Sequence, residues 1–328
     1  MQTLEGHTSW VRAVAVSPDG RTIVSGSGDK TVKVWSLQTG ALLHTLHGHT
    51  SWVRTVAICP DRQIVASGGN DQTIRLWSLT TGKLYSVLSG HADWVRAIAF
   101  SPDGGTLFSG GQDQTVRLWP LSLLAARVRE NRSEHSLPQI KPPQIKPPQI
   151  KPPQINQPQI NSTILTQHDH WVLALACSPD GTLLATASRD QTIGRWQWQD
   201  RQGYPRLKSH TAEVTAIAIS PNGQLLASAS ADSTVKLWKL RSGRLVHTFT
   251  AHENAVNTVA FSPDGRLLAS AGSDRTIRLW NLHTGALVDT LTGHAGWVWA
   301  IAFSPNSQTL VSGSWDSTIK LWQREARC

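Results

Sequence analysis

The stretch Gly90–Trp119, GHADWVRAIAFSPDGGTLFSGGQDQTVRLW, decides the fold, because it recurs along the chain with the same four polar landmarks. The landmarks are a histidine, a hydroxyl residue 18 positions later, an aspartate 4 positions after that, and a tryptophan 6 positions further on. Between them lie apolar, β-branched runs separated by turn signals such as Ser-Pro-Asp-Gly, a pattern typical of short β-strands. No segment has helical apolar spacing long enough to compete with this pattern.

Seven copies of this unit are present, with a period of 42 residues and one longer step of 77 residues between the third and fourth histidines. Repetition at a fixed period indicates an architecture in which each unit buries its apolar faces against its neighbours. The landmark sets, in chain order, are His7, Ser25, Asp29 and Trp35; His49, Ser67, Asp71 and Trp77; His91, Ser109, Asp113 and Trp119; His168, Thr186, Asp190 and Trp196; His210, Ser228, Asp232 and Trp238; His252, Ser270, Asp274 and Trp280; and His294, Ser312, Asp316 and Trp322.

These units resemble WD40 repeats, and the resemblance covers the whole chain except the 35 extra residues of the long step. It implies an all-β fold: a seven-bladed β-propeller of four-stranded antiparallel blades, forming one domain over residues 1–328, with repeats starting near each landmark histidine. It also implies that N- and C-terminal strands close the ring within one blade, with Met1–Leu4 as the outer strand of the last blade. Such closure would remove an exposed sheet edge.

Each unit contains a hydroxyl, a histidine and an aspartate, the residue types of a hydrolase triad. Seven equivalent sets argue against catalysis, because an enzyme needs one site. An aspartate only accepts hydrogen bonds, an indole only donates, and histidine and serine do both, so the four can form a closed hydrogen-bond chain. The resemblance implies the same structural tetrad. We therefore predict a non-enzymatic protein with no catalytic residue and no cofactor.

Two histidine clusters have the superficial look of metal sites. His44 and His47 are an odd number of positions apart, so on a strand they face opposite sides of the sheet. In the cluster His168-Asp169-His170, the first histidine already belongs to a landmark set. We therefore predict no bound metal.

Three positions in each unit vary between copies: the third and fifth residues after the histidine, and the residue before the aspartate. The resemblance implies that these positions lie at the top rim and channel mouth, where partners commonly dock. Tryptophan and arginine, which are enriched in binding hot spots, dominate them. We predict that a protein or peptide partner with acidic groups binds there, on Trp10, Trp52, Trp94, Trp171, Trp297, Trp299 and Trp315 as apolar anchors and Arg12, Arg54 and Arg96 as cations. The alternative is that these tryptophans only fill space between neighbouring strands.

Residues 122–160 hold the excess of the long step, and they contain a five-residue tandem repeat, PQIKP. Such a proline-rich segment cannot build a core and favours an extended conformation, so we predict a disordered loop inserted in the third blade. Residues 121–166 carry six basic and two acidic side chains, nearly half of the chain's net charge of +9.

The net charge of +9 and the interleaved tryptophan and arginine also raise nucleic acid as a second kind of partner. A third possibility is that this propeller is the sensor domain of a larger signalling protein. The composition, with 16% charged residues and no run of 18 apolar residues, fits a soluble fold that does not contact a membrane. Three widely separated cysteines fit a reducing compartment. We expect a cytoplasmic, monomeric propeller that acts within a complex.

Overall fold

The structure is a computed structural model that describes residues 1–60, 63–121 and 160–323. Within these ranges the regular elements are β-strands, arranged in seven antiparallel sheets. The innermost strands of neighbouring sheets contact one another, and the last contacts the first, which closes a ring of seven blades. The predicted all-β, seven-bladed propeller is therefore confirmed.

Blades are numbered here by their innermost strands in chain order. These strands are β2 (Val11–Val16), β6 (Val53–Ile58), β10 (Val95–Phe100), β14 (Val172–Cys177), β19 (Val214–Ile219), β23 (Val256–Phe261) and β27 (Val298–Phe303). The second strands are β3 (Thr22–Ser27), β7 (Ile64–Gly69), β11 (Thr106–Gly111), β15 (Leu183–Ser188), β20 (Leu225–Ser230), β24 (Leu267–Gly272) and β28 (Thr309–Ser314).

The third strands carry the landmark tryptophans and pair antiparallel with the second strands. They are β4 (Val32–Ser36), β8 (Thr73–Ser78), β12 (Thr115–Pro120), β16 (Thr192–Gln197), β21 (Val235–Lys239), β25 (Ile277–Asn281) and β29 (Ile319–Gln323). The outer strands are β5 (Leu42–Leu46), β9 (Leu84–Ser89), β13 (Thr163–Gln167), the pair β17 (Gln202–Gly203) and β18 (Leu207–Lys208), β22 (Leu245–Phe249), β26 (Leu287–Leu291) and β1 (Gln2–Leu4).

The seventh blade is completed by β1, which pairs antiparallel with β29, so that the two ends of the chain share one sheet as predicted. Only three residues make this strand, whereas the outer strands of blades 1, 2, 3, 5 and 6 have five or six. Leu4 compensates by packing into a core with Trp35, Ile319 and Leu321. Lys320 also donates a hydrogen bond from Nζ to Thr3 Oγ1 at 3.0 Å.

The apolar cores lie between blades and not within them. One core, for example, joins Val24 and Val34 of blade 1 to Val53, Val65 and Trp77 of blade 2. A sheet that is packed on both faces needs apolar residues on both faces, which explains why the strands do not alternate cleanly between apolar and polar residues.

Blade 4 differs from the other blades, because its outer strand is split into β17 and β18. Pro205 lies between the two pieces and has no N–H to donate to the sheet. The buried Arg195 of β16 donates from Nη2 to the carbonyl of Pro205 at 3.0 Å and from Nη1 to the carbonyls of Leu240 and Arg241 in blade 5, both at 2.8 Å. One buried arginine therefore holds the irregular segment and ties it to the next blade.

The predicted insertion lies almost entirely outside the described residues. Residues 122–159, on which the prediction of disorder rests, are among those that the structure does not describe. Ile160, the last residue assigned to the insertion, is 8% exposed and packs in one core with Trp119 and Leu121. This isoleucine lies outside the strands but is buried in this core, and the predicted disorder of residues 122–159 stays a prediction.

Candidate functional site

The four landmark residues form one hydrogen-bond chain in every blade. The tryptophan Nε1 lies 2.7–3.2 Å from the hydroxyl oxygen. That oxygen lies 2.6–2.8 Å from the histidine Nε2. The histidine Nδ1 lies 2.7–2.9 Å from an aspartate oxygen. Since the indole only donates and the carboxylate only accepts, the hydroxyl donates to Nε2 and the histidine donates its Nδ1–H.

All seven landmark sets meet in this way, although their tryptophans are not equally covered. The hydroxyls that accept the indole N–H belong to Ser25, Ser67, Ser109, Thr186, Ser228, Ser270 and Ser312. The indoles that are fully buried belong to Trp35, Trp77, Trp119, Trp238 and Trp280. Trp196 and Trp322 are only half-buried. They lie in blades 4 and 7, where the outer strand beside the tryptophan is split or short.

The structure adds a fifth member to this chain. A threonine two residues after each aspartate donates both its backbone N–H and its hydroxyl to the second carboxylate oxygen. Sequence reasoning missed it, although the same threonine recurs in all seven units. These residues are Thr31, Thr73, Thr115, Thr192, Thr234, Thr276 and Thr318.

The hydrogen bonds set the charge state of the aspartates. Burial alone would raise the pKa of Asp113, but donors including His91, Thr115 and the backbone of Ala92 stabilise the carboxylate and hold the pKa at about 2. The same balance holds the pKa values of Asp232 and Asp274 at about 2 and lowers those of the other landmark aspartates. Burial lowers the pKa of His210, which agrees with a neutral ring that accepts at Nε2.

The connectivity of hydroxyl, histidine and aspartate is that of a hydrolase triad, but the hydroxyl cannot reach a substrate. The landmark serines and Thr186 have 0% of their surface exposed in all seven blades. Their oxygen also accepts the indole N–H, which occupies a lone pair that a nucleophile would need. The arrangement supports the fold and offers no route for a substrate.

The three variable positions of each blade are held by one backbone scaffold. Each innermost strand contains a β-bulge, and the extra residue is the fifth residue after the histidine. A bulge re-aims the side chain of its extra residue. The residue before the aspartate donates its backbone N–H to the carbonyl of the third residue after the histidine, at 2.8–3.0 Å in all seven blades. The scaffold is therefore constant and leaves the three side chains able to differ.

The predicted tryptophans form one group, called here the aromatic arc, whose members contact one another directly or through a stacked arginine. Trp10 contacts Trp52 and Trp315 edge to face, with ring centroids 4.7 Å and 4.0 Å apart. Trp297 contacts Trp315 at 5.5 Å and Trp299 at 5.7 Å. The members of the arc are Trp10, Trp52, Trp94, Trp171, Trp297, Trp299 and Trp315.

The three predicted arginines, called here the guanidinium trio, stack on members of the arc. Arg54 lies 5.3 Å from the ring of Trp52 and 5.0 Å from that of Trp94. Arg96 lies 5.2 Å from the ring of Trp94 and 4.5 Å from that of Trp171. Arg12, the third member of the trio, lies over the ring of Trp299 and so connects blade 1 to blade 7. Cation–π contacts of this kind contribute about 0.5–2 kcal/mol each, depending on desolvation.

The aromatic arc ends in blade 4, at Trp171. Arg189 stacks on Trp171 at 4.3 Å and forms an ion pair with Glu213 at 3.2 Å. Beyond it, Thr215 and Asn257 occupy the bulge positions of blades 5 and 6 and hydrogen-bond to carbonyls of their own or the next blade. The rim therefore has one side of aromatic and cationic residues, and a shorter side in blades 5 and 6 whose side chains are small and polar.

The two sequence interpretations of the tryptophans each describe part of the arc. Trp10, Trp94, Trp171 and Trp299 are half-buried and pack against neighbouring side chains. The other three keep much of their surface in solvent: Trp52 is 38% exposed, and Trp297 and Trp315 are both 46% exposed. The exposed three are the members that a partner can cover.

Burial and mutual repulsion affect the guanidinium trio. Burial, together with the charges of Arg54 and Arg96, lowers the pKa of Arg12 to about 9. Burial lowers the pKa of Arg54 to about 10, and burial with neighbouring cations lowers that of Arg96 to about 10. All three remain cationic at neutral pH, although concentrating these charges costs free energy.

The described residues contain no cluster of three or more histidine, cysteine, aspartate or glutamate side chains that could hold a metal. His44 instead contacts the carbonyl of Thr80 through Nε2 at 2.9 Å. No helix within residues 1–60, 63–121 and 160–323 is long and apolar enough to cross a membrane.

A ring of seven four-stranded blades, each pinned by the same hydrogen-bond chain, defines a propeller of structural repeats. The family described as WD domain, G-beta repeat (WD40) matches residues 1–36, 40–78, 82–120, 160–197, 204–239, 243–281 and 285–323. These seven matches cover most of the chain, and each contains the three inner strands of one blade, so the protein belongs to the WD40 family. WD40 propellers are generally non-enzymatic scaffolds that bind protein partners within complexes.

Relatives match over about one repeat. The chain is 50% identical over 42 residues to the pre-mRNA-splicing factor prp46 of Emericella nidulans, which covers 13% of this chain and 9% of that protein. It is 65% identical over 34 residues to the nuclear distribution protein PAC1 of Scheffersomyces stipitis, which covers 10% of this chain and 6% of that protein. It is 49% identical over 43 residues to a probable E3 ubiquitin ligase complex SCF subunit sconB of Arthroderma otae, which covers 13% of this chain and 6% of that protein. The chain thus spans less than a tenth of the length of each of these relatives.

Proposed function

We propose that this propeller is a non-enzymatic scaffold that docks a protein or peptide partner on its top rim, against the aromatic arc. The observation that carries the proposal is the exposure of Trp52, Trp297 and Trp315 at one side of a rim whose tetrads are buried. Tryptophan is the residue most enriched in binding hot spots, because a large ring gains much from leaving water. The three relatives have names from three different cellular tasks, so the identity of one repeat selects none of them.

The guanidinium trio supports a partner with acidic groups. Stacking occupies the faces of an arginine but leaves its in-plane N–H groups able to donate to a carboxylate. Around the trio, Glu213 already forms an ion pair with Arg189, so the rim holds more positive than negative charge. Electrostatic complementarity of this kind raises association rates and selects partners.

The test is a selection of random dodecapeptides against the intact protein, followed by affinity measurements on a variant with Trp52, Trp297 and Trp315 changed to Ala. We expect peptide affinity to fall by at least about tenfold, since single hot-spot residues contribute about 2 kcal/mol or more. A matched control changes Leu43, Val246 and Val288 to Ala. These side chains are 49%, 45% and 45% exposed. They lie on outer strands, at the other edge of their blades from the innermost strands.

Equal loss of affinity in both triple variants, or no loss in either, would overturn the proposal. Cooperative thermal unfolding of both variants checks that each remains folded. A pull-down from nuclease-treated lysate with the same three proteins then identifies the natural partner by mass spectrometry.

Nucleic acid is the second candidate, and the net charge of +9 favours it. Stacking of bases would need open tryptophan faces, yet Trp94 lies between Arg54 and Arg96, and Trp171 lies between Arg96 and Arg189. Binding of oligothymidine that falls steeply with salt would favour this candidate. We further propose a cytoplasmic, monomeric propeller within a complex, alone or as the sensor part of a larger signalling protein; cell fractionation and light scattering test the first two points.

A further inference from the structure

The members of the guanidinium trio are not equivalent. Arg54 donates from Nε to Asn70 Oδ1 at 2.7 Å, and Arg96 donates from Nη2 to Gln112 Oε1. Both acceptors precede the landmark aspartate of the same blade, 16 residues after the arginine. In blade 1 that position is Gly28, which has no side chain to accept a hydrogen bond.

Arg12 therefore has no hydrogen-bond acceptor or ion pair among the described residues. The guanidinium group of Arg12 stacks on the face of Trp299, with its central carbon 3.7 Å from the ring centroid. Stacking leaves the planar fork of five N–H groups without an acceptor, and this fork matches the two oxygens of a carboxylate.

The position of Trp10 leaves room only for a glycine at residue 28. A Cβ at this position would lie 1.5 Å from Nε1 of Trp10, so no side chain fits while Trp10 keeps its place. Trp10 instead covers the glycine and contacts Trp52 and Trp315. Blade 1 has an aromatic wall where blades 2 and 3 have an amide acceptor.

A small cavity lies at this point. Its volume is about 20 Å³, and it is lined by Trp10, Arg12, Gly28, Trp52, Val53, Arg54 and Trp299. This is slightly more than the roughly 10–15 Å³ that one water-sized group needs. The indole Nε1 of Trp299 is buried without a hydrogen-bond partner in the part of the chain that the structure describes. The buried indole N–H of Trp299 and the guanidinium that stacks on its ring thus both lack an acceptor within residues 1–60, 63–121 and 160–323. A buried donor such as this indole normally has one in a native protein.

We propose that this cavity is the specificity-determining pocket of the rim, in which Arg12 binds the carboxylate of a single aspartate or glutamate of the docked peptide. The pocket rests on the proposed docking function and adds to it the chemical class of the anchoring residue. A planar carboxylate can place one oxygen in the small cavity and the other on the guanidinium fork. A tetrahedral phosphate projects three oxygens and fits this space less well.

The experiment is a double-mutant cycle between the protein and the selected peptides. Each acidic residue of a rim-dependent peptide is changed to its amide, and affinities are measured for the intact protein and for Arg12→Leu. Leucine is a matched choice, because Leu173 occupies the same bulge position in blade 4. We expect one Glu→Gln or Asp→Asn change to weaken binding to the intact protein by about tenfold or more, and binding to Arg12→Leu by less than about threefold.

Two further variants separate the pocket from general charge effects. Arg189→Gln removes a rim arginine that is already paired with Glu213, and we expect the full acid-to-amide effect to persist in it. Arg12→Lys keeps the charge without the fork and should give an intermediate effect. Thermal unfolding of each variant confirms that it is folded.

The outcomes distinguish the two proposals. Peptides that depend on Trp52, Trp297 and Trp315, but have no acidic position coupled to Arg12, would overturn the pocket and leave the docking function intact. If no peptide depends on those tryptophans, both proposals fail. Tighter binding of phosphoserine than glutamate peptides, or Arg12-dependent binding of oligothymidine, would also overturn the carboxylate assignment.

Discussion

Asp29 and Gly28 are neighbours in one turn, yet the positions that they represent behave in opposite ways around the ring. The first is aspartate in all seven blades. The second is Gly28, Asn70, Gln112, Arg189, Ala231, Ser273 and Trp315 in turn. The aspartate side chain points into its blade, where it accepts four hydrogen bonds. The preceding residue donates its backbone N–H to the scaffold in every blade, and its side chain differs from blade to blade according to the rim residues that it meets.

Neighbouring positions of one turn therefore serve the fold and the rim separately. The tetrad fixes the position of the backbone, and the backbone then presents the variable side chains of the rim. Substitutions in a tetrad should reduce stability, whereas substitutions of exposed rim side chains should affect binding with little effect on stability.

Acidification should have the largest effect on stability, because it protonates the landmark aspartates of all seven tetrads. The pKa of Asp113 is held at about 2, against 3.8 in the absence of these interactions, so such an aspartate stabilises the folded state by about 2 kcal/mol above pH 4. This stability is lost as the pH falls through the folded-state pKa. Seven such aspartates together rival a typical free energy of unfolding of about 5–15 kcal/mol. We expect cooperative unfolding between about pH 4 and 2, which circular dichroism would measure.

Protonation of His210 acts in the same direction. Because the folded-state pKa of His210 is below its usual value of 6.5, the unfolded state binds a proton first, and stability begins to fall below about pH 6.5. The variant with three rim tryptophans changed should unfold at the same pH as the intact protein. Retention of the native spectrum at pH 2 would contradict this role of the tetrads.

Ser109→Ala should have the largest effect among single substitutions. It removes the oxygen that accepts from Trp119 and donates to His91, and leaves two buried polar groups without partners. We expect a loss of about 2–4 kcal/mol in the free energy of unfolding, measured by urea denaturation. Ser109→Thr is the matched control, because blade 4 uses Thr186 at this position. Equal losses for Ala and Thr would show that the hydroxyl is not the cause.

Trp10→Ala tests the packed part of the rim. Trp10 is half-buried and contacts Trp52 and Trp315 edge to face, so its removal should cost about 1–2 kcal/mol of stability in urea denaturation. This is less than the loss for Ser109→Ala, since no buried polar group is left unsatisfied. A loss in the free energy of unfolding as large as that for Ser109→Ala would show that Trp10 supports the fold as strongly as a tetrad residue does.

Trp297→Ala should have the smallest effect, because this ring is 46% exposed. We expect the free energy of unfolding to change by no more than about 0.5 kcal/mol, as for most exposed substitutions. Leu43→Ala, at 49% exposure on an outer strand, is the reference for such a change. A destabilisation well beyond this reference would support the interpretation of the whole arc as filler.

Much of the fold could be predicted from the sequence, because its determinants repeat within about thirty residues. The number of repeats follows from the seven landmark sets, and the resemblance of these repeats to WD40 repeats implies the closure by β1. The hydrogen-bond chain follows from what each side chain can donate or accept. The split outer strand of blade 4 was not predicted, because Arg195 ties it to the carbonyls of Leu240 and Arg241, which are distant in sequence.

The sequence by itself therefore determined the blades, the tetrads and the residue types on the rim. Only the tertiary structure decided which tryptophans are exposed and which arginine lacks an acceptor. Those properties depend on neighbours from other blades: Trp299, near the end of the chain, stacks on Arg12, near its beginning. Periodicity records contacts within a repeat, whereas the rim is built by packing between repeats, where the side chains differ from blade to blade.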